Sequence, residues 1–130
     1  MKKKISALSV LLLIDQLSKF IFYETSVLNY GGIFGAARGL WWEILLVPAL
    51  IYLIYAWLRE RSFQQSCALT LLVAGGMGNI IDRFTRGGVI DFIHYPFFNL
   101  SGNLADIYLA IAVISMLYIT LRSDHDKSKQ

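Results

Sequence analysis

The sequence is poor in the residues that build disulfide frameworks, metal centres and water-exposed surfaces. It has one cysteine, two histidines and two prolines, and only 16% of its 130 residues are charged. One cysteine cannot form an internal disulfide, and His94 is the single histidine before the charged C-terminal tail, so a zinc site has too few ligands. We therefore expect neither a metal nor another cofactor. Cys67 begins an apolar run, and we expect it to be a small buried side chain.

Several catalytic patterns are also missing. No serine stands beside a plausible base, and neither a phosphate-binding P-loop nor a dinucleotide-binding glycine pattern occurs. Apolar residues dominate instead, because 56% of the chain is hydrophobic and the mean hydropathy is +0.55. This composition indicates an integral membrane protein. The net charge of +3 lies in short basic clusters between apolar runs, which fits membrane topology better than nucleic-acid binding.

Four apolar segments are predicted to cross the membrane as helices, at about residues 5–23, 40–58, 67–81 and 104–121. The longer ones approach the roughly 20 residues that the hydrocarbon core requires. Glycines between the first two segments predict a short extended or hairpin-like element at 27–34. The predicted fold is a single all-α transmembrane domain, residues 1–130, forming a four-helix bundle with a small extended or β element on its outer face. Tyr55 and Trp57 are expected at the membrane interface.

The distribution of basic residues predicts the orientation of this bundle. The residues on one predicted side are Lys2, Lys3, Lys4, Arg59, Arg61, Arg122, Lys127 and Lys129. Those on the other side are Arg38, Arg83 and Arg86. By the positive-inside rule, both termini are predicted to face the cytoplasm. The loop around Asn29 and the loop 82–103 then share the outer side, where segments distant in sequence can form one pocket.

Two polar features near the first span have alternative interpretations. Asp15 and Lys19 stand four residues apart, so their side chains face the same side of a helix. Such a pair either neutralises itself within the bundle or helps to shape a polar site. The amide of Asn29 either supports a local turn or holds a substrate backbone.

The richest polar stretch, 75–106, starts inside one apolar run and ends inside another. Its polar side chains include Asn79, Asp82, Arg83, Asp91, Asn103 and Asp106. Asn79, Asp82 and Arg83 project to one side of a helix. Two ordinary interpretations are also open: Asp82 and Arg83 form an ion pair at the membrane interface, or Arg83 alone extends to the lipid head groups. Asn103 and Asp106 also fit a helix N-cap and a favourable first-turn acid.

Two aspartates at the mouth of a membrane bundle suggest a catalytic pair. Polar groups at a membrane boundary are costly unless they pair with one another or perform a function. Close carboxyl groups do not both ionise readily, so one stays protonated as an acid while its ionised partner activates water as a base. Asp91 and Asp106 are the candidates, and such a pair can hydrolyse peptides without a metal.

Short motifs follow one another along the chain: DQLSK at 15–19, NYGGIF at 29–34, GGMGNIIDR at 75–83, VIDFI at 89–93 and NLAD at 103–106. In their order, and in their positions relative to four spans, they resemble the lipoprotein signal peptidase family, the bacterial type II signal peptidases. Each motif is weak alone, but the five together are highly specific. The resemblance covers nearly the whole chain.

The resemblance implies a multi-pass aspartic endopeptidase of the bacterial inner membrane, with its active site toward the periplasmic side. Such an enzyme removes the signal peptide of a prolipoprotein by cutting before the cysteine that carries a diacylglyceryl group. The implied catalytic residues are Asp91 and Asp106. The implied substrate-binding or supporting residues are Asn29, Gly31, Asn79, Arg83, Asn103, Asp15 and Lys19. The expected partners are the lipidated substrate and membrane lipid, without nucleic acid, and we expect a monomer.

Two departures from the family pattern concern the outer loops. Family members usually have a longer segment between the first span and the NYG motif, and an aromatic residue where this chain has Gly102. We therefore expect a reduced substrate cradle.

Two other functions stay open at this point. One is a small carrier or proton-coupled channel that uses Asp15, Lys19, Asp82 and Asp106 as a relay. The other is a homologue that binds lipidated peptide without cutting it.

Overall fold

Four α-helices make up most of the chain in a computed structural model. The structure describes residues 1–30, 40–98, 100–127 and 129. The helices are α1 (Lys2–Ile21), α2 (Leu40–Arg59), α3 (Phe63–Arg86) and α4 (Leu104–Lys127). Each helix covers most or all of one predicted span, so the predicted number and order of helices are confirmed.

Two of these helices are long and apolar enough to cross a membrane, as judged by length and composition. They are α3 and the part of α4 from Leu104 to Asp126. The part of α2 from Leu45 to Arg59 is a shorter apolar helix. Large apolar side chains face outward on α1 and α4, such as Leu13, which is 60% exposed, and Ile114, which is 67% exposed. Outward apolar surface of this kind suits a bundle surrounded by lipid.

Short strands between the helices form two small antiparallel sheets. Their bounds are β1 Val27–Asn29, β2 Val89–Asp91, β3 Ile93–Tyr95 and β4 Leu100–Gly102. β1 pairs with β2, with Val27 opposite Asp91, and β3 pairs with β4, with Ile93 opposite Gly102. The extended element predicted at 27–34 is present as β1, while 31–34 lie outside the described residues. The pairings bring the ends of β2 and β4 to the start of α4.

The packing of α2 against α3 corrects two predictions. Trp57 does not face the membrane interface, because it packs against Leu69 and Val73 and its Nε1 donates a hydrogen bond to Thr70 Oγ1 at 2.8 Å. Cys67 is exposed and not buried. The buried positions Leu69, Thr70 and Val73 recur at helical spacing, and Cys67 falls outside the face that they form.

Glycines in α3 allow the helices to approach one another closely. A Cβ atom at Gly75 would lie 2.6 Å from the carbonyl oxygen of Ala105 on α4. A Cβ atom at Gly78 would lie 2.5 Å from Asp15 Oδ2 on α1. Both distances are shorter than any normal contact, so a side chain at either position would push the helices apart. This close packing holds the polar residues of α3 against α1 and α4.

We expect Gly75→Ala to lower the melting temperature of the purified protein in detergent by several degrees. The new methyl group would meet a backbone oxygen that cannot rotate away, and overpacking of this kind costs about 1–3 kcal/mol. Gly76→Ala is the matched control, because its nearest atom is Leu50 Cδ1 at 3.3 Å, the end of a flexible side chain. Thermal unfolding followed by tryptophan fluorescence makes the comparison, and equal melting temperatures for the two variants would contradict it.

Candidate active site

Asp91 ends β2 with its side chain almost fully buried, at 2% exposure. Its Oδ2 accepts a hydrogen bond from Asn29 Nδ2 at 3.0 Å, and its Oδ1 accepts one from Asn103 Nδ2 at 2.8 Å. Burial raises the pKa of Asp91 above the ordinary value of 3.8, and the charge of Asp106 raises it further. The two amide donors and the charge of Lys19 only partly oppose this. Asp91 therefore holds a proton more readily than an ordinary aspartate.

Asn103 and Asp106 begin α4 with reciprocal hydrogen bonds. The backbone N–H of Asp106 donates to Asn103 Oδ1 at 3.1 Å, and the backbone N–H of Asn103 donates to Asp106 Oδ2 at 3.0 Å. This is the geometry of a capping box, which satisfies backbone donors at a helix start. The capping interpretation is thus confirmed. It does not compete with a site, because Asn103 also donates from its side-chain amide to Asp91 at 2.8 Å, so this one residue connects both carboxyl groups.

Asn79 connects Asp106 to a buried lysine. Asn79 Nδ2 donates to Asp106 Oδ1 at 2.8 Å, and Asn79 Oδ1 accepts a hydrogen bond from Lys19 Nζ at 3.1 Å. A lysine ammonium group can only donate, so the oxygen of this amide must face Lys19 and its NH2 group must face Asp106. The orientation of the amide is therefore fixed by the lysine.

Lys19 also forms the centre of a buried ion-pair cluster. Its Nζ lies 2.9 Å from Asp15 Oδ2, as the spacing predicted, and 2.9 Å from Asp82 Oδ2. All three side chains are fully buried. Asp15 Oδ1 accepts a hydrogen bond from the Ala105 N–H at 3.0 Å, and Asp82 also pairs with Arg86. Buried charges are tolerated when they are paired and hydrogen-bonded, and here every one of them is.

The sequence interpretation did not include Gln16, Asp82 or Arg86 among the supporting residues. Gln16 Nε2 donates to Asp82 Oδ1 at 3.2 Å, and Gln16 Oε1 accepts a hydrogen bond from Arg86 at 3.1 Å. The four-residue spacing of Asp82 and Arg86 is a signal that could have identified that pair. Gln16 lies within the DQLSK motif and beside Asp15, but its partners Asp82 and Arg86 are on another helix, so spacing within α1 does not indicate them.

The remaining predicted site residues lie at the edge of this cluster or beyond the described residues. Arg83 forms no pair with its neighbour Asp82, and its Nη1 donates instead to the carbonyl oxygen of Asn79 at 3.2 Å. Gly31, predicted to line the substrate cleft, lies outside the described residues. A Cβ atom at Gly102 would lie 3.1 Å from Asp106 Oδ2, so the absence of a side chain there leaves room beside that carboxyl group.

Sequence relatives agree with a membrane peptidase. A family model described as signal peptidase (SPase) II matches residues 7–122. A lipoprotein signal peptidase of Rickettsia felis is 34% identical over 92% of this chain and 76% of its own length. A lipoprotein signal peptidase of Streptococcus pyogenes serotype M2 is 34% identical over 97% of this chain and 98% of its own length. The residues matched by the family model, 7–122, include all five of the motifs described above.

Solved structures agree as well. A bacterial membrane enzyme determined by the in meso method at 2.3 Å resolution superposes with a TM-score of 0.88 and 27% identity, over 100% of this chain and 94% of that chain. A second such structure, at 1.9 Å resolution, gives a TM-score of 0.81 and 28% identity, over 93% of this chain and 94% of that chain. The first superposition includes all four helices and both small sheets.

Proposed function

The chain belongs to the signal peptidase II family, and from this premise we propose that it is an aspartic endopeptidase with Asp91 and Asp106 as its catalytic pair. The reaction of the family is removal of the signal peptide from lipoprotein precursors. The observation that carries the proposal is the contact of one residue, Asn103, with both carboxyl groups. Its side-chain amide donates to Asp91 and its backbone N–H donates to Asp106. Two aspartates held together in this way, one of them with a raised pKa, have the properties of an acid and a base acting on one water molecule.

The proposed mechanism is a direct attack of water on the scissile carbonyl. The ionised carboxylate takes a proton from the water as the new C–O bond forms. The protonated carboxyl group donates its proton toward the carbonyl oxygen, which carries the developing charge. One aspartate then gives a proton to the leaving amine as the C–N bond breaks, while the other takes a proton from a hydroxyl group of the tetrahedral intermediate as the carbonyl reforms, which restores one shared proton to the pair. No covalent intermediate with the protein is required.

We propose that the supporting residues act by holding this pair. Asn29, Asn79 and Asn103 each donate to one of the two carboxyl groups. The partly exposed Arg83 and the predicted cleft residue Gly31 are proposed to contact substrate. Asp15 and Lys19 act one contact further away, through the start of α4 and through Asn79.

The proposed topology has four spans, with both termini in the cytoplasm and the catalytic pair at the periplasmic side of the inner membrane. The contacts of Lys4 support it, because its Nζ donates to the carbonyl oxygens of Trp57 and Glu60. The start of α1 and the end of α2 therefore share one end of the bundle, where basic residues cluster. Asp106 lies at the start of α4, at the opposite end. We also propose that the protein acts as a monomer.

The substrate proposed is a prolipoprotein whose cysteine already carries a diacylglyceryl group. Its acyl chains can stay in the bilayer beside the outward apolar side chains while the peptide enters between the helices at the outer end. The carrier interpretation is not favoured, because Asp15 and Asp82 are paired with Lys19 and Arg86 in a cluster at one end of the bundle.

Cleavage by the purified protein in nanodiscs tests this function. We expect a gel shift with a diacylglyceryl-modified prolipoprotein and none with the unmodified precursor, and mass spectrometry should find the modified cysteine at the new N-terminus. Asp91→Asn is the matched control that should leave both substrates intact. Failure of the folded wild-type protein to cut the lipidated substrate would reject the proposal and favour a homologue that binds without cutting.

A further inference from the structure

A buried cation stands one amide away from one of the two proposed catalytic carboxyl groups. Lys19 Nζ donates to Asn79 Oδ1 at 3.1 Å, and Asn79 Nδ2 donates to Asp106 Oδ1 at 2.8 Å. An amide whose oxygen is bound to an ammonium group is polarised, and its N–H becomes a stronger donor. If the Asn79 amide rotated by 180°, its NH2 group would face the Lys19 ammonium group, which is also a donor. The Asn79 NH2 group therefore stays directed at Asp106.

The second oxygen of Asp106 has an equally fixed donor. The backbone N–H of Asn103 donates to Oδ2 at 3.0 Å, and a backbone donor cannot be exchanged for an acceptor. Asp106 also lies in the first turn of α4, where the helix dipole favours negative charge. Each Asp106 oxygen thus accepts an N–H hydrogen bond, and such a donor binds a carboxylate more strongly than a protonated carboxyl group. All these contacts favour the ionised form.

The surroundings of Asp91 differ. It lies at the end of a strand and not in the first turn of a helix. The amide of Asn103 that donates to Asp91 is bound at its oxygen by a neutral backbone N–H, not by a cation. Burial and the charge of Asp106 raise the pKa of Asp91. The two carboxyl groups therefore differ in which protonation state their contacts favour.

We propose that Lys19, acting through the amide of Asn79, makes Asp106 the ionised base of the pair and leaves the proton on Asp91. This inference rests on the proposed peptidase function and makes Lys19 and Asn79 positioning residues. The other charged groups of the cluster are arranged around Lys19, which faces Asp15 and Asp82, while Asp82 also faces Arg86. Tyr108 is the further titratable group near Asp15.

A pair of mirror-image substitutions tests the assignment. Asn79→Asp keeps the size of the side chain and its contact with Lys19, but presents an oxygen to Asp106 in place of the N–H. Asn29→Asp makes the same change beside Asp91. Each raises the pKa of the carboxyl group that it faces, by loss of a donor and by like-charge repulsion. The readout is the pH profile of kcat/KM for a lipidated substrate, whose acidic limb reports the base and whose alkaline limb reports the acid.

We expect Asn79→Asp to move the acidic limb upward by about one pH unit, so that kcat/KM falls about fivefold at the original midpoint of that limb and about tenfold well below it. Asn29→Asp should move the alkaline limb and leave the acidic limb in place. The opposite pattern, with the alkaline limb moving in Asn79→Asp, would overturn the assignment. A uniform fall in kcat at every pH would also overturn it, because that is the effect of a purely structural residue.

Further measurements keep the inference separate from the function and from folding. Wild-type cleavage is measured first, so that absence of cleavage rejects the peptidase, while cleavage with the wrong limb shifted rejects only the assignment. Asn79→Ser removes the donor without adding charge and should move the same limb by a smaller amount. If Asn79→Asp fails to fold, the limb moved by Asn79→Ser decides, and an unmoved acidic limb there would overturn the inference.

Discussion

Asp91→Asn and Asp106→Asn should each lower kcat for cleavage of a lipidated prolipoprotein by about a thousandfold or more. Each substitution keeps the size of the side chain but removes one of the two groups that are proposed to transfer protons to and from water. The two aspartates act as one unit, so the double variant should be little slower than either single variant. Single-turnover cleavage followed by gel shift makes the measurement, because it separates the chemical step from product release.

The control for these variants must address folding, since both aspartates are held by hydrogen bonds. In Asp106→Asn, an NH2 group facing the Asn79 amide would meet a donor that Lys19 prevents from turning. The unmatched contact costs about 1–3 kcal/mol, which thermal unfolding detects. Asp124→Asn, an equivalent change at an exposed position near the end of α4, should keep full activity. Retention of a tenth of wild-type activity by either folded active-site variant would mean that the catalytic pair is misassigned.

The local part of the site could be predicted because it follows from helix periodicity. Asp15 and Lys19 are four residues apart, and Asn103 and Asp106 are three apart, so each pair meets without any other part of the chain. The helices themselves were predictable from long apolar runs, which are accommodated in a membrane or in the core of a protein. The five motifs then gave the family, which the relatives confirm.

The contacts between helices could not be predicted in this way. Lys19 reaches Asn79 across 60 residues, and that contact depends on how closely Gly78 lets α3 approach α1. Trp57 was assigned to the interface on residue preference, whereas packing against α3 buries it. Cys67 was assigned to the core because of its residue type, which does not indicate the helix face. Periodicity describes one helix, while these features depend on pairs of helices.

Lys19→Met should be the most destabilising single substitution in the polar cluster, by about 3–5 kcal/mol. Methionine has a similar length, so the loss does not come from a cavity. It comes from Asp15 and Asp82, which would keep their buried charge without the cation between them. The unfolding free energy in detergent, measured by chemical denaturation, reports the loss. Addition of Asp15→Asn should recover part of it, because that change removes one of the unpaired charges.

Arg86→Met is the control for Lys19→Met. It also removes a cation beside Asp82, but one that is partly exposed to solvent, so the comparison tests whether full burial of the lysine causes the loss of stability. The side chain of Arg86 is 28% exposed, and without it Asp82 would keep Lys19, the Gln16 amide and the Ile90 N–H. A partly solvated pair contributes about 1 kcal/mol or less, so this variant should lose much less stability than Lys19→Met. Equal losses would mean that water reaches Lys19 when its partners change. In that case the charge of Lys19 alone would not fix the orientation of the Asn79 amide. The close helix packing at Gly75 and Gly78 would then be needed to hold the proposed catalytic pair in place.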